Sequence, residues 1–154
     1  VGKFYTLNTS CHIHKTFVVR GSVTIVGDGN NITITGAGSG RIFDVAIGAR
    51  LSIENIGLTA KREGTCTDSS LGHLCNSGGL VLRSNATFIA KNSSFANSWQ
   101  QKGGVVYGEA NTTLFLESSI FHDNYAKMEG GVLSLESGSR VTLRSCKFYV
   151  HNGL

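Results

Sequence analysis

The chain has 154 residues, among them 20 glycines and no proline, with 40 % hydrophobic side chains, only 16 % charged and a formal net charge of +4. That length suits a single domain, and so large an apolar share beside so few charges excludes an intrinsically disordered chain. With no basic cluster beyond Lys61-Arg62 and no run of 18 apolar residues, the sequence points neither to a nucleic-acid partner nor to a helical membrane span.

Residues 1–20 alternate in two pieces, Phe4/Thr6 and Ile13/Lys15/Phe17, and read as an opening coil of strand. His12 and His14 share one face of that segment, but no third ligand accompanies them, so they read as surface histidines, not as a metal pair. Val23/Ile25 and Ile32/Ile34 then mark two strands joined by Gly27-Asp28-Gly29-Asn30, strong turn chemistry. After a glycine-rich corner at 36–40, Phe43 and Val45 are expected inward, followed by Leu51, Ile53, Ile56 and Leu58, with Glu54 outward. Residues 61–77 interrupt the pattern.

From Gly78 to Phe148 one pattern returns three times, opening on Gly78-Gly79, Gly103-Gly104 and Gly130-Gly131 and closing on Phe95, Phe121 and Phe148. Seven residues before each close lie Phe88, Leu114 and Val141; five before lie Ala90, Leu116 and Leu143; two before lie Ser93, Ser119 and Cys146. All are expected inward, whereas Lys91, Glu117 and Arg144, four before each close, are expected outward as a charge ladder. The slots of Phe43 and Val45 recur as Leu80/Leu82 and Leu133/Leu135, with the copy at Val105, Val106 and Tyr107 shifted by one residue. Closings 26 and 27 residues apart, short strands and no helical stretch describe one turn of a parallel β-solenoid. The expected fold is therefore all-β: a single β-helix domain over 1–154, of about five coils at one strand spacing each, with 61–77 as a loop insertion. The glycine pairs fit tight corners where a Cβ would clash or φ must be positive.

Five N-glycosylation sequons begin at Asn8, Asn31, Asn85, Asn92 and Asn111, and five together point to the secretory pathway and an extracellular or cell-surface location. Asn85 and Asn111 both lie ten residues before a closing phenylalanine, so they are expected at one corner on adjacent coils, where they would put sugar along one edge or form a ladder of turn asparagines. Four cysteines allow three pairings. Cys66 and Cys75 fall in the same interruption and are expected to staple it. Cys11 and Cys146 lie several coils apart, beyond the reach of a bond within one chain, though a bond between stacked subunits stays open.

The stretch from Ser22 to Thr59, followed by coils that begin Gly130-Gly131-Val132-Leu133 or close Phe121-His122-Asp123-Asn124, resembles the right-handed parallel β-helices of the pectin-lyase-like superfamily. More narrowly it is similar to the polymorphic outer-membrane-protein type repeats of extracellular surface proteins. The resemblance implies a right-handed solenoid and brings polysaccharide lyases, hydrolases and epimerases into view as one alternative. Such chemistry needs carboxylates converging on a groove. Among the ten acids only Asp44, on a strand, could sit near another, Glu54, so the sequence reads as non-enzymatic, with no cofactor, metal or catalytic residue assigned. A glycan-binding or ice-binding surface is the other alternative, but only Thr33/Thr35 supplies a Thr-x-Thr step, and Trp99 and Tyr125 read as loop residues packing over a corner.

No capping helix is legible at either end; Val1 to Leu7 and Phe148 to Leu154 both look like more strand, and the chain reads as a segment of a longer protein. Open ends of a solenoid must be covered. The expected function is thus structural, adhesive or filament-forming, with self-association end to end or with neighbouring domains, and covalent N-glycans outside.

Overall fold

A computed structural model describes residues 2–29, 31–36, 41–60 and 79–149; the 61–77 insertion with Cys66 and Cys75, and Gly78, lie outside the described residues, and so does their expected bridge. The strands follow one another around successive coils. The first coil holds β1 (Lys3–Leu7), β2 (Cys11–Ile13) and β3 (Phe17–Val19); the second β4 (Ser22–Gly27), β5 (Thr33–Gly36) and β6 (Phe43–Val45); the third β7 (Arg50–Glu54), β8 (Gly57–Ala60) and β9 (Leu80–Leu82). The fourth adds β10 (Thr87–Lys91), β11 (Ser94–Ala96), β12 (Trp99–Lys102) and β13 (Val106–Gly108). The fifth repeats this with β14 (Thr113–Glu117), β15 (Ile120–His122), β16 (Tyr125–Glu129) and β17 (Leu133–Leu135), and a sixth begins with β18 (Arg140–Arg144) and β19 (Lys147–Phe148).

Each strand pairs in parallel with its equivalent one coil away, giving sheets β1-β4-β7-β10-β14-β18, β2-β5-β8-β11-β15-β19, β3-β6-β9-β13-β17 and the short pair β12-β16. This is a parallel β-solenoid, with five passes through all three large sheets among the described residues. The expected registers hold: Leu51, Phe88, Leu114 and Val141 share one column, Ile53, Ala90, Leu116 and Leu143 the next. Burial alternates with the pleat, because only one face of each strand meets the interior.

The second sheet carries the column that closes each coil: Cys11, Ile34, Leu58, Phe95, Phe121, Phe148. Phe95 and Phe121 stack with ring centroids 4.7 Å apart and planes 6° from parallel, and Phe121 and Phe148 repeat the arrangement at 4.7 Å and 5°. Rings stacked at the strand spacing follow from phenylalanines held in register on adjacent parallel strands. Phe88 meets the column edge-on, 6.2 Å from Phe95. Fully burying one such ring is worth about 2–3 kcal/mol.

Three kinds of corner join the sheets, and each turns through a residue in the left-handed region. Between the first and second sheets these are Gly29, Asn31, Asn55, Asn92, Ser118 and Ser145; before β12 and β16 they are Asn97 and Asp123; between the third sheet and the next coil they are Gly21, Gly48, Asn85, Asn111 and Gly138. At the glycine pairs the reason is steric. A Cβ on Gly103 (φ +55°) would lie 2.1 Å from the Val106 carbonyl oxygen, and one on Gly104 would lie 2.1 Å from that of Gly131. Asn124 ties coils together at the second corner: its Oδ1 accepts from the Ser98 N–H at 3.1 Å and its Nδ2 donates to the Phe95 carbonyl at 2.8 Å.

Several expectations are corrected. In β1 the inward positions are Lys3, Tyr5 and Leu7, opposite Val23, Ile25 and Gly27, so Phe4 and Thr6 face out and Phe4 is 67 % exposed. The copy containing Val106 is not shifted: Val106 pairs with Leu80 and Leu133, and Gly108 takes the slot of Leu82 and Leu135. Glycine stands there because a Cβ would lie 2.6 Å from both a Leu135 methyl and the Thr112 hydroxyl. Trp99 and Tyr125 are not in loops but open the paired strands β12 and β16, edge to face at 5.5 Å. His12 lies on β2, but His14 falls beyond its end.

Candidate functional site

The five sequon asparagines are all exposed, and the fold sorts them onto two edges. Asn31 and Asn92 turn the corner between the first and second sheets with φ of 63° and 47°, flanking Asn55 at 56°. Asn8 stands three residues before Cys11 as Asn31 does before Ile34, and extends the same edge. Asn85 and Asn111, both at φ 61°, occupy the corner between the third and first sheets on adjacent coils, as the equal counts to Phe95 and Phe121 require. Their equivalents one coil away on either side are the glycines Gly48 and Gly138.

The third sheet carries a charged cluster that sequence reasoning did not assemble. Arg83 clamps Asp44 with two bonds, Nε to Oδ1 at 2.9 Å and Nη2 to Oδ2 at 2.7 Å, and reaches Glu109 Oε1 with Nη1 at 2.9 Å. Glu109 also accepts the Ser84 N–H at 3.0 Å, Arg41 lies 3.7 Å from Asp44, and the Tyr107 hydroxyl donates to Glu136. The signal was present in the same count: Arg83, Glu109 and Glu136 each stand twelve residues before a closing phenylalanine. Asp44 therefore faces Arg83, not Glu54 as expected; Glu54 lies on the first sheet beside Lys91.

The electrostatics follow from these contacts. The bond to Asp44, then that to Glu109, raises Arg83 further above its ordinary value against the opposing effect of burial. Burial alone would raise Glu109, but the Arg83 and Ser84 bonds outweigh it and hold the carboxyl below its ordinary 4.5. Burial, reinforced by the bond to Glu136, pushes Tyr107 up to about 12. Hydrolysis of a glycosidic bond asks one carboxyl to stay protonated near neutral pH and another to face it across open space. Here Glu109 is held ionised and the guanidinium occupies the gap to Asp44, so the cluster acts as a clamp across three coils.

The charge ladder on the first sheet appears as expected, Glu54, Lys91, Glu117 and Arg144 in register with alternating sign, and Lys91 Nζ lies 3.8 Å from Glu117. Cys146 takes the slot of Ser93 and Ser119, its Sγ 3.3 Å from the Leu116 carbonyl, and both it and Cys11 are free thiols. They sit in the last and first coils, five strand spacings or roughly 24 Å apart along the stack, far outside disulfide reach. Among the described residues no cluster of three or more His, Cys, Asp or Glu side chains could hold a metal ion.

The two end coils present apolar side chains that the interior coils bury. Val141, Leu143 and Phe148 fill inward slots of the last coil yet are 39 %, 48 % and 43 % exposed, where Leu114, Leu116 and Phe121 one coil earlier are at most 1 % exposed. At the other end Tyr5 and Phe17 are 43 % and 45 % exposed. In comparison with known proteins, no family model, no curated protein and no solved structure matches the chain.

Proposed function

We propose that this solenoid is a structural module of a secreted glycoprotein, outside the cell or on its surface, that assembles by stacking copies end to end. The exposure of Val141, Leu143 and Phe148 in slots that are otherwise dry carries this reading, because a further strand stacked on each column would cover them. Continuing the columns of the first two sheets into a second copy sets Leu143 on Tyr5 and Phe148 on Cys11, with Val141 on Lys3. Such a contact is heterologous and does not close, so it grows a filament. N-glycans at the two asparagine edges would keep the flanks of that filament apart. The glycine pairs and the Asn124 corner favour the pectin-lyase-like, outer-membrane-protein type repeat as its family, and the clamped state of Glu109 favours a non-enzymatic role.

Cross-linking tests the stack. In register, residue 148 of one copy lies one strand spacing, about 4.8 Å, from Cys11 of the next, within disulfide range. Native Cys146 is two residues off that column and about 8 Å away, too far. Under mild oxidation Phe148→Cys should form covalent oligomers that disappear when Cys11→Ser is added, while the native chain forms none through this pair. A monodisperse monomer by size exclusion and electron microscopy, with no cross-link, would overturn the proposal.

A further inference from the structure

The corner between the first and second sheets holds a trough. Two residues separate β7 from β8, β10 from β11 and β14 from β15, but five separate β4 from β5. Asp28, Gly29 and Asn31 of that longer connection line one side of a concavity of about 660 Å³ that runs across the corners of the next coils. Its floor is opened by Gly57, where a Cβ would lie 3.1 Å from both the Thr33 and the Ser94 hydroxyl oxygens; glycine leaves both facing the trough. Along the rim the exposed amides of Asn31, Asn55 and Asn92 repeat at the coil spacing of about 4.8 Å, close to the length of one pyranose ring. Among the described residues Asp28 is the single charged one in the lining, and no lysine or arginine joins it.

That chemistry selects its ligand. Amides, hydroxyls and one carboxylate offer donors and acceptors to sugar hydroxyl and acetamido groups, while a described lining with a carboxylate and no cation disfavours uronates, sulfates and phosphates. We infer that the trough seats a short chain of neutral sugar residues. Two sources share this chemistry: a free oligosaccharide, or the root of a glycan attached at Asn31 or Asn92. The second source rests on the glycoprotein reading above; the first does not.

Chitotetraose, a neutral oligomer whose first two residues match the root of an N-glycan, serves as the probe. In the first arm, chain made without glycosylation is titrated and followed by amide chemical shifts. Saturable shifts at Thr33, Asn55, Gly57 and Ser94 are expected, weakened about fivefold by Asn55→Gly, the loss of one net hydrogen bond, and abolished by Gly57→Val. Asn55→Gly keeps the left-handed corner, so the test survives if Gly57→Val does not fold. In the second arm, chain from a secreting host is examined for contacts between the first glycan residues and Thr33 or Ser94. Binding in the first arm supports the trough with a free ligand; contacts in the second alone support it with the attached one. The absence of both, no saturable shifts in the first arm and no glycan contacts in the second, overturns the inference. Unoccupied Asn31 and Asn92 in glycopeptide mass spectra would remove the glycoprotein reading at this edge and leave the first arm to decide.

Discussion

Asparagine has two physical uses in this chain, and they coincide at single positions. Four of the five sequon asparagines, Asn31, Asn85, Asn92 and Asn111, have positive φ, a conformation that an L residue with a longer or branched side chain adopts only at a cost. The backbone therefore has its own reason to place asparagine there. The hydroxyl two residues later is what a corner does not require: Asn55 turns the same corner followed by Gly57, and Asn97 turns another followed by Trp99. Asn55 isolates the conformational role. Asn55→Ala should lower stability by about 1 kcal/mol while Asn55→Gly changes it by only a few tenths, as read by urea unfolding; equal losses would mean that the amide's contacts and not its φ hold the corner.

Elements were legible where a phenylalanine closed the coil. Counting back from Phe95, Phe121 and Phe148 located β10, β14 and β18 and their inward faces, since a parallel stack repeats side-chain direction at every coil. The method failed to give β1 a direction, because β1 has no such anchor: Phe4 and Thr6 show only that residues alternate, and pairing with β4 is what sets Tyr5 inside. It failed again at the third sheet, where Gly108 replaces a bulky residue and the small side chain looked like a slip. The Arg83 clamp was missed because its members lie one per coil and only the stacked register joins them.

That clamp gives a pH signature. Removing the guanidinium by Arg83→Met leaves Glu109 half-buried without its cation and Asp44 with only the longer contact to Arg41, an expected loss of about 2 kcal/mol at neutral pH for a partly exposed network. Because the folded pKa of Glu109 lies below its ordinary 4.5, its contribution is present above that value and is lost as pH falls through the lowered one. The gap between native and Arg83→Met stabilities should accordingly narrow below pH 4.5. Tyr107 runs the other way: its pKa is raised from 10 to about 12, so its contribution is intact below 10 and is lost as pH rises through that interval. Urea midpoints across the pH range for the native chain, Arg83→Met and Tyr107→Phe check both; gaps that stay flat with pH would contradict the assignment.

For the whole molecule, the phenylalanine column makes stability depend on position along the stack. Phe121 lies between two rings and is 1 % exposed, whereas Phe148 is covered on one side only. Phe121→Ala should cost about 3–5 kcal/mol as a core truncation, and Phe148→Ala clearly less in an isolated chain. If copies stack, the cost of Phe148→Ala should rise with protein concentration toward that of Phe121→Ala; thermal unfolding over a concentration series decides, and a cost independent of concentration would count against the filament.

The bonds between coils, such as Ile120 N–H to the Ser93 carbonyl and Arg140 N–H to the Thr112 carbonyl, lie along the long axis of the stack. Pulled from its two ends, the module bears load through these ladders in series, so it yields by peeling one winding at a time. Each winding freed pays out a contour length of about 90 Å for some 26 residues. A tether of this kind absorbs a tug gradually, lengthening in steps while the remaining windings keep their shape.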